Sequence, residues 1–310
     1  MFPSTVAAGV RKAYGPRDAL LEVWNGVPYI SPVWANCANT VLVHHVHREM
    51  WKLVLEERLA KLGQFIEARV APPFYRNTRF IVPSSSSRNE VIEYYGARPE
   101  NVMVSSPGVD PHFQPGEDKS PHPLIVGCGR LMPPKRFDEL IRVALEVRRS
   151  YPDLELVLIG DGYQLPHLRD LIRSLGAESW VRLAGFVSED EKLSLFQRAW
   201  VVSSASIAEG WGMTLTEAAA CGTPAVATRI TGHLDSVAHD KSGLLATGSR
   251  EMVEQLSAVI ADEELRGRLS EGARKHAAEF TWETCAYRTL ASLADDAHRR
   301  RVRAGGRSRQ

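Results

Sequence analysis

The sequence has 310 residues, of which 44% are hydrophobic and 24% charged, and a net charge of +1 at pH 7. That length suits one large or two ordinary domains, and the charge balance gives no bulk reason to expect a nucleic-acid partner. No apolar run reaches the ~18 residues that a membrane-spanning helix needs, and the start, "MFPSTVAAGVRKAYGPRD", lacks the apolar core of a signal peptide.

Along the chain, short β-rich runs alternate with longer helical patterns, which is the signature of βαβ units and parallel sheets. "LLEVW", "TVLVHHV", "RFIVPS" and "NVMVSS" read as strands of a first domain, residues 1–112. Residues 49–70 read as one helix of mixed character. Ser84 to Ser87 form the cap of a helix that ends at Gly96. Four strands are fewer than a full doubly wound sheet uses, and no glycine-rich first turn precedes them, so this domain is expected to be incomplete.

The proline-rich stretch "GVDPHFQPGEDKSPHP" marks a domain boundary, with a linker over residues 113–122. A second domain follows over residues 123–281. Its strands are "LIVGCG", "LELVLIG", "WVRLAGF", "WVVSSA", "PAVAT" and "SGLLA", with helical patterns between them. A helix over residues 282–298 is expected to pack back toward the first domain. Residues 299–310 hold six arginines and no acid, and read as a disordered basic tail. Cys37, Cys128, Cys221 and Cys285 form no C-x-x-C pair, which fits reduced thiols in a cytosolic protein.

Chemistry concentrates in two strand-to-helix connections of the second domain. In "GCGRLMPPKRFDEL", Arg130 and Lys135 follow a strand and precede a helix, so two cations meet the positive end of the helix. That combination suits a diphosphate, although both could be solvated surface charges. In "EGWGMTLTEAAACGTPAVA", Glu209 lies on a loop and Glu217 one turn into the next helix. Gly210 and Gly212 leave backbone N–H groups open at the helix start, able to meet an anion or a sugar hydroxyl. Carboxylates there can accept hydrogen bonds from vicinal hydroxyls. The plain alternatives are a surface acid at Glu209 and helix-dipole compensation at Glu217.

These motifs resemble the retaining GT-B glycosyltransferases of family 4, the glycosyl transferases group 1. The paired glutamates match Glu209 and Glu217, and "GRLMPPKRFDELI" matches the family's cationic turn with Arg130 and Lys135. Gly160, Asp161 and Gly162 match its glycine-aspartate-glycine turn, with Tyr163 where proline is usual. "PGVD" at residues 107–110 matches its crossover. "GHLDSVAHDKSGLLA" matches a further segment, with Asp235 where glutamate is more usual. The resemblance spans roughly residues 80–290, in the family's order.

The resemblance implies an α/β GT-B fold of two Rossmann-like domains facing across a cleft, the first incomplete. It implies transfer of a hexose from a GDP-mannose-, UDP-glucose- or UDP-N-acetylglucosamine-type donor to a glycan, lipid-linked or small-molecule hydroxyl, without a metal or prosthetic group. Arg130 and Lys135, beside Gly129, would neutralise the diphosphate. Glu217 would hold the ribose and Glu209 the donor sugar. The backbone of Gly212, Met213 and Thr214 would meet the sugar or β-phosphate, and Gly185, Phe186 and Val187 would hold the base. His47, with His45 as second choice, matches the family's histidine beside the donor sugar; no third ligand argues for a metal there. The missing glycine-rich loop implies that something like half of the acceptor domain is absent, which puts activity of this form in question. A non-catalytic sugar-nucleotide binding protein, and another GT-B enzyme such as an epimerase of UDP-sugars or a phosphorylase, remain as alternatives. Family acceptors suggest a cytoplasmic protein that touches the anionic inner face of the plasma membrane, where the basic tail and the cations around Phe65, Phe74 and Tyr75 would act.

Overall fold

The computed structural model describes residues 3–15, 17–48 and 50–307. The chain divides into two compact units, Met1–Pro107 with Trp282–Gln310, and Gly108–Thr281.

In the first unit, α1 (Pro3–Tyr14) leads into β1 (Ala19–Trp24), α2 (Ser31–Trp34) and β2 (Ala38–Val43). Then come α3 (Met50–Val54), α4 (Glu57–Phe65), β3 (Arg79–Val82), α5 (Ser85–Tyr95) and β4 (Val102–Val104). The strands pair in parallel in the order β1-β2-β3-β4. Ser84 caps α5 by accepting the Ser87 N–H at 3.0 Å, and Gly96 ends it in the left-handed conformation.

The core of this unit is an aromatic stack on two buried acids. The Trp24 ring lies 4.4 Å from Tyr95 and 4.7 Å from Tyr75. Tyr75 donates to Glu22 at 2.8 Å and Tyr95 to Glu67 at 2.7 Å. Residues 49–70 were expected as one helix, but they break into α3, α4 and a π-helical turn, Ile66–Val70. That turn carries Glu67 inward, where it also accepts the His47 N–H and the Trp51 indole N–H, each at 2.9 Å. A π-turn adds a residue to the helical repeat, which is how a helix can aim one side chain off its regular face.

The second unit alternates strictly. Its strands are β5 (Leu124–Cys128), β6 (Glu155–Ile159), β7 (Val181–Gly185), β8 (Val201–Ser204), β9 (Ala225–Thr228) and β10 (Gly243–Ala246). Between them run α6 (Phe137–Arg148), α7 (Leu165–Ser174), α8 (Glu189–Arg198), α9 (Met213–Ala220) and α10 (His233–Ser236), with α11 (Ser249–Ala261) and α12 (Glu263–Ala277) after them. The parallel order is β10-β9-β8-β5-β6-β7. Side chains alternate between two buried layers, Ile125, Leu156 and Leu158 on one face and Val126, Val157 and Ile159 on the other, as the two-residue strand period requires. From β5 the chain winds outward to β7, then returns to lay β8 against the other side of β5. That reversal opens a crevice beyond the carboxyl ends of β5 and β8.

Residues 113–122, expected as the linker, pack on this unit. Phe113 is buried beside Phe196, and Lys119 donates to Ala199 O at 2.9 Å and Thr223 Oγ1 at 2.7 Å.

α13 (Trp282–Arg307) completes the first unit. Its Asp296 accepts the Asn39 N–H at 2.8 Å, and its Ser292 hydroxyl lies 3.2 Å from that of Thr40. The expected disordered tail differs here, because the helix continues through residues 299–307. Arg299 pairs with Asp295 at 3.1 Å and Arg300 with Asp296 at 2.8 Å, one helical turn apart, so aspartates in the preceding turn offset the basic run. Residues 308–310 lie outside the described residues. Among the described residues, no helix is long and apolar enough to cross a membrane.

Candidate nucleotide-sugar site

On the β5 side of the crevice, the ends of β5, β6 and β7 are tied through their backbones. The Gly129 N–H donates to Ile159 O at 2.9 Å, and the Gly160 N–H to Gly185 O at 2.8 Å. Gly160 has φ +135°, and a Cβ there would lie 1.9 Å from Gly129 O, so only glycine lets these strand ends close. Asp161 fixes the same turn by accepting the Gly162 N–H at 2.7 Å.

After β5, residues Pro133–Lys135 form a 3-10 turn, and Arg136 enters the left-handed region at φ 49° before α6 begins. This turn aims the Lys135 ammonium at the Glu209 carboxylate, and the two are hydrogen-bonded. Glu209 also accepts the Ser206 hydroxyl at 2.9 Å. Burial pushes the Glu209 carboxyl up, but the Lys135 charge and hydrogen bond, with His233 and Ser206, more than offset it and hold it below its ordinary value. The Arg130 side chain is exposed and makes no hydrogen bond or ion pair among the described residues.

Gly212, at φ 101°, opens α9 without a side-chain cap, so the first N–H groups of that helix have no capping side chain. Met213 is partly exposed, and the Thr214 hydroxyl lies 3.4 Å from Cys128 O, tying α9 to the end of β5. Glu217 lies one turn further in. Its Oε2 is 3.2 Å from Lys192 Nζ of α8, and both side chains are largely buried. Burial raises the Glu217 carboxyl, and Lys192 offsets only part of the rise. Gly185 adopts φ 73° at the end of β7, Phe186 stands almost fully exposed, and Val187 turns into the core.

The second unit therefore brings Lys135 and Glu209 into direct contact, and sets Glu217 and the Gly212 turn on α9. His47 belongs to the first unit. It packs on Trp51 with ring centroids 5.4 Å apart, and its Nδ1 lies 3.6 Å from Glu67. His45 lies beside it, 4.6 Å between ring centroids. No group of three or more histidine, cysteine or acidic side chains among the described residues is arranged to hold a metal.

Sequence reasoning missed Lys192, Glu67 and His233. Lys192 sits in "SEDEKLS", which reads as a solvated charged face. Its partner Glu217 comes from another helix, so no spacing signals the contact. Glu67 carries a signal, a lone acid in the apolar "QFIEARV". His233 is buried and its Nδ1–H donates to Thr228 O, 2.9 Å away; only its place next to Gly232 in "TGHLD" hints at the loop it supports.

The sequence model of the family described as glycosyl transferases group 1 matches residues 110–276. D-inositol 3-phosphate glycosyltransferase of Stackebrandtia nassauensis is 35% identical over 244 residues, covering 72% of this chain and 55% of the relative. The enzyme of the same name from Salinispora arenicola is 32% identical over 244 residues, covering 70% and 54%. The chain thus spans about half the length of the curated relatives it matches. Among solved structures, Anabaena Alr3699/HepE in complex with UDP and glucose superposes with a TM-score of 0.75 at 21% identity, over 94% of this chain and 81% of that one. Sucrose-phosphate synthase from Thermosynechococcus elongatus superposes with a TM-score of 0.76 at 17% identity, over 96% and 76%. These likenesses establish the GT-B fold class, with two Rossmann-like α/β units. With more than half of its residues matched by the family model, the chain belongs to the glycosyl transferases group 1 family.

Proposed function

We propose that the protein transfers a hexose from a nucleoside diphosphate sugar to a hydroxyl acceptor with retention at the anomeric carbon. The observation that carries this reading is the Lys135–Glu209 contact at the switch point, beside the uncapped start of α9. A cation and helix N–H groups at that edge suit a diphosphate, and a carboxylate held charged beside them suits a sugar hydroxyl.

In the reaction the bond from the anomeric carbon to the β-phosphate oxygen breaks, and a bond from the acceptor oxygen to that carbon forms on the same face. The acceptor proton passes to the departing phosphate oxygen. Arg130, Lys135 and the Gly212, Met213 and Thr214 backbone stabilise the charge that develops on the diphosphate, the electrostatic task a metal performs in other transferases. Glu209 orients the sugar, Glu217 holds the ribose, and Gly185, Phe186 and Val187 border the base. UDP is the favoured nucleotide, because the Anabaena protein of the same fold was crystallised with UDP and with UDP-glucose. A phosphorylated polyol is the favoured acceptor, in view of the inositol 3-phosphate relatives.

The exposed Leu59, Leu62, Phe65 and Phe74, next to Arg58, Lys61, Arg69 and Arg76, favour a second feature, contact with an anionic lipid surface. The transfer reading is tested by incubating the protein with UDP-glucose, UDP-N-acetylglucosamine or GDP-mannose and inositol phosphate, and following the anomeric proton by NMR. An α-linked product from an α-linked donor supports it. A β-linked product, or no turnover of any donor, counts against it.

A further inference from the structure

Glu217 sits in a strongly charged corner of the second unit. Its neighbours include Glu189, at the start of α8, and Asp110, just before the buried Phe113, and both acids push its carboxyl up in addition to burial. Cys128 and Cys221 also face it, but burial pushes each thiol up to about 12, so both are neutral. Lys192 is the cation in contact. Its Nζ lies 3.2 Å from Glu217 Oε2, 2.8 Å from Glu189 Oε2 and 4.7 Å from the centre of the Phe113 ring. The Lys192 and Glu217 side chains are 14% and 12% exposed, while Glu189 is 65% exposed. Solvent therefore screens Glu189 well and Glu217 poorly, and the Lys192 charge matters most to Glu217.

We infer that Lys192 is a positioning residue for the nucleotide: it keeps Glu217 in the charged form that accepts a vicinal diol, and thereby sets how well the site distinguishes ribose from deoxyribose. The inference rests on the ribose role of Glu217 proposed above. A carboxylate only accepts hydrogen bonds, so it can take both hydroxyl protons of a diol. A protonated carboxyl turns one of its oxygens into a donor and loses that match. Without Lys192, Glu217 would be left buried among Glu189 and Asp110 with no cation in contact, and the neutral form is the one such a site favours. The ammonium in turn is held by two carboxylates and an aromatic face, so it stays charged although little of it reaches water.

The test is calorimetric binding of UDP and 2′-deoxy-UDP, with GDP and 2′-deoxy-GDP in parallel, to the wild type and to Lys192→Met, Lys192→Gln, Lys192→Arg and Glu217→Gln. Each variant is first checked for a cooperative thermal transition. Using the ratio of the two affinities cancels the ionisation of the nucleotide's own phosphate. The wild type should prefer ribose by about tenfold at both pH 7 and pH 8.5, the scale of one hydrogen bond to a charged group. Whichever of Lys192→Met and Lys192→Gln folds should show less than about threefold preference at pH 7, with a preference that grows as the pH is raised and Glu217 ionises; Lys192→Arg should match the wild type. A folded variant lacking the cation that keeps the tenfold preference at pH 7 overturns the role of Lys192 alone. A wild type with no ribose preference, a Glu217→Gln variant that retains it, or no binding of either nucleotide pair overturns the reading of Glu217 itself, and the inference with it.

Discussion

The Lys135 ammonium, on the turn after β5, is hydrogen-bonded to the Glu209 carboxylate, on the turn after β8, so the two strands that flank the switch point are joined by a charged pair at their carboxyl ends. The pair does two things. It offsets two partly buried charges, and it holds a cation and an acid side by side at the place proposed above for the donor.

Replacing Lys135 by alanine leaves Glu209 without its cation in a largely buried place. Stability should fall by about 2 kcal/mol, and turnover by roughly 100-fold, the scale of a lost electrostatic contact to a developing charge. The pH dependence follows from the sign of the shift. The folded carboxyl lies below its ordinary 4.5, so it contributes stability above that value and loses it as the pH falls through the folded value. In Lys135→Ala this acid-sensitive contribution should shrink, which urea titrations at pH 7 and pH 4 would reveal. Equal losses on acidification in both proteins would contradict it.

Glu217 has the opposite sign. Its carboxyl is raised, so its charge costs stability at neutral pH in the free protein. Glu217→Gln should leave the melting temperature unchanged or slightly higher, while weakening UDP binding by about 1–3 kcal/mol. A lower melting temperature together with unchanged affinity would make Glu217 a structural residue.

Two glycines with positive φ should respond differently to alanine. Gly96→Ala meets nothing within 4 Å, so only backbone strain of about 1 kcal/mol is expected. Gly160→Ala drives a methyl group into Gly129 O and should cost more than about 3 kcal/mol, because the strand ends must separate. Chemical denaturation of both variants makes the comparison, and similar midpoints would contradict the tight closure.

Vesicle co-sedimentation addresses the lipid surface. Binding should require anionic lipid, fall with salt, and weaken in Leu62→Glu/Phe65→Glu, with each nearby cation worth about 1 kcal/mol. Equal recovery with neutral and anionic vesicles would end that reading.

Much of the second unit could be read in advance, because local signals there agree with tertiary ones. "LIVGCG" and "LELVLIG" are strands buried on both faces, and the glycines at 129, 160 and 212 mark backbone that must turn or close tightly. The first unit was legible as strands, and the Ser84 and Gly96 caps were readable from residue type. The rest was set by partners distant in sequence. The inward turn of Glu67 depends on the His47 backbone, Trp51 and Tyr95, which no periodicity encodes. The helix past residue 299 depends on Asp295 and Asp296, whose value is lost when the arginines are counted alone. The Lys192–Glu217 contact joins two helices, and each charge looks solvated on its own helix.

The central claim is that the β5–β8 crevice binds a nucleoside diphosphate through Lys135 and Glu217. Calorimetry of UDP and GDP against the wild type, Lys135→Ala and Glu217→Ala, in EDTA, tests it most directly. The account predicts one-to-one binding of at least one nucleotide to the wild type in the presence of the chelator, weakened at least tenfold by either substitution, about 1.4 kcal/mol. Binding that is absent from the wild type, or equally tight in all three proteins, would contradict it.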